Sequence, residues 1–578
     1  MTKTSAGRLV ALLLVAAATA RAEIRYRVTL EDPVRHRVAV EMTVPDVKGR
    51  LTVALPAWYA TYQIRDFVWR LSQLEACSGH ERLQLEPLDQ QTWAVQAQGS
   101  VVLRYRMLWD DEPPFGSVLD PRHAFFNLAE LLLYVPERRR EPVAVEFAGL
   151  PAGWHAAAEL EPDGPAGFRA PGYDALVDAP VELGTFDAFS FPVGTARVRV
   201  VVDGGRLDHA QVQAALERIV GYQTRLMGEM PCAEYLFIYH LGGRGGMEHA
   251  CSTAISLGRP EGLPGVSAHE FFHLWNVKRI RPQSLEPVDY EHPMWTRALW
   301  FAEGVTSTYG ALTLVRSGLW TPEQYLEHLG EQITELQARP ARQWQSAEES
   351  SLDAWLEKYP GYFRPERSIS YYNKGELLGV LLDVQIREAT ENRRSLDDVL
   401  RWMNEQFAHR GRFYRDSADV RAAVEQVAGR DFGGFFERYV AGTEEIPWAE
   451  LLRPAGLGVE QQPVERADVG MIWQPAPGGE VEVVSVEPGG AAAAAGLMPG
   501  DRLVAPAGAS WPASARQWAA TLVPGQQVAL TVRRGAQTLA VTLRAGSLRY
   551  IRYRVVRLAE MTPRQRRILD GLLAGRTD

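Results

Sequence analysis

The chain has 578 residues, 46% of them hydrophobic, and a formal net charge of −9. That length and apolar content suffice for several buried cores, so the expectation is a globular protein of three or four domains and not a disordered chain. The charge carries no long single-sign run, which argues against a nucleic-acid-binding surface, and no apolar stretch reaches the length of a membrane span.

At the start of the chain, Lys3 and Arg8 precede the apolar run Leu9 to Ala18, and Ala20 and Ala22 form an A-x-A cleavage pattern. This reads as a secretory signal peptide over residues 1–22 with cleavage after Ala22, which predicts export to a periplasm or the medium. The three cysteines, Cys77, Cys232 and Cys251, are too few for a disulfide framework, but an oxidising compartment permits one bridge. Cys232 with Cys251 is the expected pair, because they flank adjacent apolar segments.

From Glu23 to about Val202 the pattern alternates with period two, as in "EIRYRVTL", "HRVAVEMTV" and "VVLRYRML", with Pro and Gly between the runs. That predicts a β-rich domain over 23–202. Beyond it the signal turns helical in "DHAQVQAALERIVGYQTRLMGEM", passes through one strand-like run, "AEYLFIYHL", and reaches the glycine-rich "GGRGGMEHACSTAISL". Helices are expected to dominate from Ala268 to about Val440, making 203–454 a mainly helical domain with a small strand element.

Within that region "HEFFH" sets His269 and His273 four apart with Glu270 beside the first. On a helix of ~3.6 residues per turn the two imidazoles share one face and can grip one ion. Zn²⁺ takes neutral histidine nitrogens, and a neighbouring glutamate can deprotonate the water held at the open position. The alternative is structural: Ser267 and Glu270 match the S-x-x-E capping box of a helix start. A third ligand is sought downstream among Glu286, Glu291 and Glu303. The first two sit in the Pro-rich connection "SLEPVDYEHP", whereas Glu303 lies in the helical-looking "RALWFAEGVTSTYG". Glu303 is therefore the better placed to complete a two-histidine, one-carboxylate zinc set.

"HEFFHLWNVKRIRP", "LWFAEGVTSTYG", "GGMEH" and "SYYNKG", with "YDALVDAPVELGTF" and "WYATYQIRDF" upstream, together resemble the glycyl aminopeptidase family of zinc peptidases, distant relatives of the aminopeptidase N type. The resemblance implies a multidomain α+β protein whose catalytic domain is thermolysin-like and mainly helical. It implies one zinc ion held by His269, His273 and Glu303, with Glu270 as general base. Glu248, within the substrate-binding stretch Gly245, Gly246, Met247 and Glu248, corresponds to the acceptor of the substrate's free α-amino group. Tyr372 matches the tyrosine that hydrogen-bonds the oxyanion, although the adjacent Tyr371 leaves that assignment open by one position. The loop from His273 to Glu303 is longer than in the aminopeptidase N type, which supports the glycyl branch. The basic run Lys278, Arg279 and Arg281 acquires no role.

Near the C-terminus, "EVEVVSVEPGGAAAAAGLMPGDRLVA" combines a strand, a Gly turn, a small-residue helix and a further strand, and "QVALTVRRGAQTLAVTL" reads as a hairpin turning at Arg534 and Gly535. This looks like a PDZ domain over 455–545, which would bind an extended peptide or a protein C-terminus by strand addition. Residues 546–578 are expected to form a tail with a short helix and a frayed end. Three functions follow: an exported zinc aminopeptidase acting on peptides with a free N-terminus, Gly or Ala first; a zinc endopeptidase; or a PDZ-mediated binding or quality-control protein with weak peptidase activity. The intact zinc set disfavours the third, and "GGMEH" favours the first over the second.

Overall fold

The computed structural model describes residues 23–59, 62–505 and 509–578, so the expected signal peptide lies outside the described residues. The chain forms two compact units, one running to Arg279 and including Ser284–Trp295, the other formed by Ile280–Gln283 and Thr296–Asp578.

The first unit realises the period-two signal. In Ile24–Asp32 the residues Ile24, Tyr26, Val28 and Leu30 are buried while Arg25 and Arg27 face out, as alternation on a half-buried sheet demands. This strand pairs antiparallel with Arg37–Ala54 and parallel with Val143–Ala148. Arg37–Ala54 in turn pairs with Thr92–Leu108, with a register break between Val44 and Val47 that lets two long strands bend. A smaller sheet runs His155–Ala157, Val181–Gly184, His123–Phe126, Val118–Leu119.

A third sheet, ordered Asp187–Val193, Ala196–Asp203, Glu234–Leu241, Ser252–Leu257, Gly245–Glu248, straddles the boundary placed at residue 202. Ala196–Asp203 and Glu234–Leu241 are parallel neighbours, and parallel pairing requires a crossover, here the helix His209–Met227. Asp208 caps that helix by accepting from the Gln211 N–H, and Gly228 ends it with φ +81°. The glycine-rich segment expected to follow one strand instead supplies two, Gly245–Glu248 and Ser252–Leu257. A disulfide joins Cys232 to Cys251, next to the starts of the parallel strands Glu234–Leu241 and Ser252–Leu257.

The second unit is helical in its first part. Helix Tyr371–Ala389 is buried almost all round, which marks a central core helix. At Gly375 it crosses the π-helical turn Trp300–Val305: a Cβ on Gly375 would lie 2.2 Å from the Trp300 carbonyl oxygen, and one on Gly304 would lie 2.4 Å from the Gly375 Cα. Only glycine on both sides permits that approach.

Beyond these helices, Leu457–Asp468 and Gly546–Arg557 form an antiparallel ribbon in unbroken register. Between its strands lies a five-stranded antiparallel sheet with the short helices Ala491–Ala494 and Ala515–Ala519. Its last hairpin pairs Arg534 with Gln537, so the turn is Gly535–Ala536, one residue beyond the expected position, with Gly535 at φ +59°. The C-terminal segment is not frayed. Helix Pro563–Ala574 is anchored by Arg316, which donates to the Leu572 carbonyl (2.8 Å), and by fully buried Arg387, which donates to the Arg576 carbonyl (2.6 Å). Buried guanidinium groups need acceptors, and the tail provides them.

Candidate active site

The helix carrying "HEFFH" spans Leu263–Phe272, with Pro264 in its first turn. It starts earlier than a capping box at Ser267 requires. Ser267 is fully buried inside the helix, and its hydroxyl shares a 2.8 Å hydrogen bond with Tyr239. Glu270 therefore lies in the helix's last turn and not at its start, and the capping alternative is corrected. His273 ends the helix in the right-handed region (φ −59°, ψ −19°), which keeps it one turn from His269. The two Nε2 atoms are 3.1 Å apart, with the rings at 82°. His273 Nδ1 donates to the Asn276 carbonyl at 2.7 Å, leaving the Nε2 lone pair for an ion. Two ligands of a tetrahedral ion with bonds of ~2.0 Å stand about 3.3 Å apart, so this pair fits zinc.

Against the helix lies the edge strand Gly245–Glu248, paired antiparallel with Ser252–Leu257. A Cβ on Gly246 would lie 2.2 Å from Glu270 Oε1; Gly245 has φ +113°, and a Cβ there would meet the Phe115 ring at 2.6 Å. Backbone thus passes directly over the Glu270 carboxylate, which is possible only because Gly246 has no side chain. Glu248, Glu270 and His273 each bring a ligand-type atom within 4.8 Å of the others. Glu248 and Glu270 are 9% and 5% exposed. Met247, expected among the substrate-binding residues, turns its side chain into the apolar core of the first unit, so only its backbone is available to a substrate.

In the second unit Glu303 is buried within the turn Trp300–Val305. The turn is pinned at Trp300, whose backbone N–H donates to the Ser351 hydroxyl at 2.9 Å and whose indole N–H donates to the Ser417 hydroxyl at 2.9 Å. The two tyrosine candidates stack at 4.7 Å but differ in surroundings. Tyr371 is buried and hydrogen-bonded to Glu357, whose carboxyl is pushed up to about 7 by burial, against the pull of that bond and with the Glu303 charge adding. Tyr372 is 40% exposed. Of the other ligand candidates, Glu291 accepts the Tyr134 hydroxyl at 2.7 Å.

A model of the M61 glycyl aminopeptidase family matches residues 263–378, and one of the M61 peptidase N-terminal domain matches residues 25–185. The chain thus has regions similar to both domains of M61 peptidases, in that order. These matches mark it as a peptidase of the aminopeptidase class. Among solved structures it is similar to an aminopeptidase N family protein from Idiomarina loihiensis, at 25% identity and TM-score 0.79 over 95% of this chain and 100% of that one. It is also similar to an M1 zinc metallopeptidase from Deinococcus radiodurans, at 16% identity and TM-score 0.49 over 74% of this chain and 94% of that one. No curated protein matches the chain. No helix among the described residues is long and apolar enough to cross a membrane.

The first unit also contains a brace that sequence reasoning missed. Lys278, which the sequence left without a role, donates to Asp178 at 2.8 Å, and His249 Nδ1 lies 3.3 Å from the same carboxylate oxygen. Burial opposes ionisation of Asp178, but Lys278 and His249 together bring its carboxyl down to about 2. His249 follows Glu248 directly and Lys278 lies just past His273, so one carboxylate ties the edge strand to the end of the histidine segment. No local pattern in the sequence links "YDALVDAP" to the basic run, because the two are about one hundred residues apart.

Proposed function

We propose that this M61-type peptidase is an exported aminopeptidase that removes N-terminal residues, Gly or Ala first, from short peptides. The observation that carries the reading is the buried Glu248 beside Glu270 and His273 on a strand that lies over the base. Two carboxylates so close make the end of the site strongly negative. A substrate ammonium is the partner that offsets this charge, and a buried carboxylate left without one costs on the order of 3–5 kcal/mol.

In this reading His269, His273 and Glu303 hold one zinc ion, all three falling in the matched stretch 263–378. When bound, the ion supplies Lewis acidity to the scissile carbonyl and to the attacking water. Glu270 accepts the proton of that water and returns it to the leaving amine. Tyr372 donates its hydroxyl to the oxygen that gains charge, and its exposure suits a group that must meet substrate. Glu248 fixes the ammonium so that only the first peptide bond reaches the reacting position. Export is supported by the signal-peptide pattern together with the Cys232–Cys251 bridge, since disulfides persist in oxidising compartments.

The sheet between the ribbon strands is proposed to be the PDZ module. Its support is the order of strand, Gly turn, small-residue helix and strand, and the edge strand Met471–Ala476, which is paired on one side only among the described residues. An extended peptide could add there.

The test compares hydrolysis of Gly- and Ala-initiated peptides with their N-acetylated forms, each with and without a zinc chelator. Chelator-sensitive cleavage of the free-amine peptides alone is the expected result. Cleavage of both forms would make the protein an endopeptidase. Cleavage of neither by zinc-loaded protein would shift attention to the C-terminal module.

A further inference from the structure

A second histidine–carboxylate cluster lies in the first unit, built from strands of two different sheets. Glu182 is fully buried, with Oε1 3.1 Å from His123 Nδ1 and Oε2 2.9 Å from His240 Nε2. Asp203 Oδ2 lies 3.5 Å from the same His123 nitrogen. His123 and His240 are 7% and 6% exposed. His123–Phe126 and Val181–Gly184 are neighbours in the smaller sheet, while Asp203 and His240 are register partners in the five-stranded sheet. The apolar layer around Phe125, Val201, Ile238 and Ala254 packs beside them.

Geometry decides what the cluster suits. His123 Nδ1 and His240 Nε2 both face the carboxylate of fully buried Glu182, so two imidazole nitrogens and a carboxylate converge in one closed place. Asp203 adds a second carboxylate beside His123, which gives the cluster the mixed nitrogen and oxygen donors of a zinc-type site.

We infer that His123, Glu182, His240 and Asp203 form a second metal site, a closed structural one for a divalent ion of the zinc type, stapling the smaller sheet to the five-stranded sheet. Two imidazole nitrogens and two carboxylates are a donor set zinc accepts, and four protein ligands leave no position for substrate. Ligand-type atoms of His123, Glu182 and His240 lie within 4.8 Å of one another, so these three already converge, and Asp203, 3.5 Å from His123, would swing in as the fourth ligand.

The experiment is elemental analysis of the full chain after exhaustive dialysis. Wild type is expected to hold two equivalents of zinc. His240→Gln should hold one and keep its peptide hydrolysis, and the His269→Ala/His273→Ala double variant should also hold one and lose hydrolysis. A single equivalent in wild type that His240→Gln leaves in place would overturn the site, as would two equivalents retained by His240→Gln. Should His240→Gln fail to fold, the double variant decides. It must retain one equivalent, and its Tm must fall on chelation and recover on zinc addition. No bound zinc in that variant, with a Tm that instead falls as pH rises between about 6 and 8, would identify a protonated-histidine strut and sink the proposal.

Discussion

Two histidine–carboxylate clusters in the first unit use the same residue types and are built in opposite ways. Around His273 the clustered groups come from one helical turn and an adjacent edge strand, and His269 keeps partial exposure. Around Glu182 they come from four strands in two sheets, and Glu182 has no exposed surface. An open side leaves a position for substrate, whereas a closed shell can only hold structure together. Substitutions in the first cluster should therefore remove chemistry and spare the fold, and substitutions in the second should do the reverse.

The largest effect is expected at Glu270. Glu270→Gln should lower kcat by about 10²- to 10⁴-fold with zinc content unchanged by elemental analysis; zinc lost together with activity would make the residue structural. Tyr372→Phe comes next, at about 10²- to 10³-fold in kcat, while Tyr371→Phe should cost about 1 kcal/mol of stability in urea melts and little rate. A reversed pattern would exchange the two assignments. In the closed cluster, Glu182→Gln should destabilise by on the order of 3 kcal/mol and leave the kcat of folded protein intact; a lost kcat at unchanged Tm would erase the contrast.

Gly246→Ala tests the open cluster from the backbone side. Its new methyl must displace the Glu270 carboxylate, and a misplacement of about 1 Å costs on the order of 100-fold in rate. Circular dichroism should show the fold kept.

The smallest effect belongs to the brace. Asp178 has its carboxyl lowered to about 2 in the folded protein, against about 3.9 unfolded. Its contribution, about 2 to 3 kcal/mol, is fully present above about pH 4 and is lost as pH falls through the folded value. Asp178→Asn should remove that stability at neutral pH and flatten the acid limb of the stability curve between about pH 4 and 2.

Much of the site could be read in advance because it is local. His269, Glu270 and His273 lie within five residues, and the helix that aligns them needs only its own period. What could not be read depends on pairing at a distance. "GGRGGMEHA" has no alternating pattern, and Gly245–Glu248 becomes a strand because Ser252–Leu257 offers it a partner. Lys278 acquires a role only from Asp178, one hundred residues upstream. The chain's end was expected to fray beyond its short helix, yet Arg316 holds the Leu572 carbonyl and Arg387 the Arg576 carbonyl from distant helices.

By itself the sequence determined the strand and helix periods, the four-residue histidine spacing with its glutamate, and the glycines that later proved to be close approaches. These follow from backbone geometry within a few residues. Only the tertiary structure decided that Gly246 lies over Glu270, that Met247 faces the core, that Asp178 braces the edge strand, and that His123, Glu182, His240 and Asp203 converge. Each of these depends on which strands pair and in what register, a choice made by burial of the whole unit and not by any single segment.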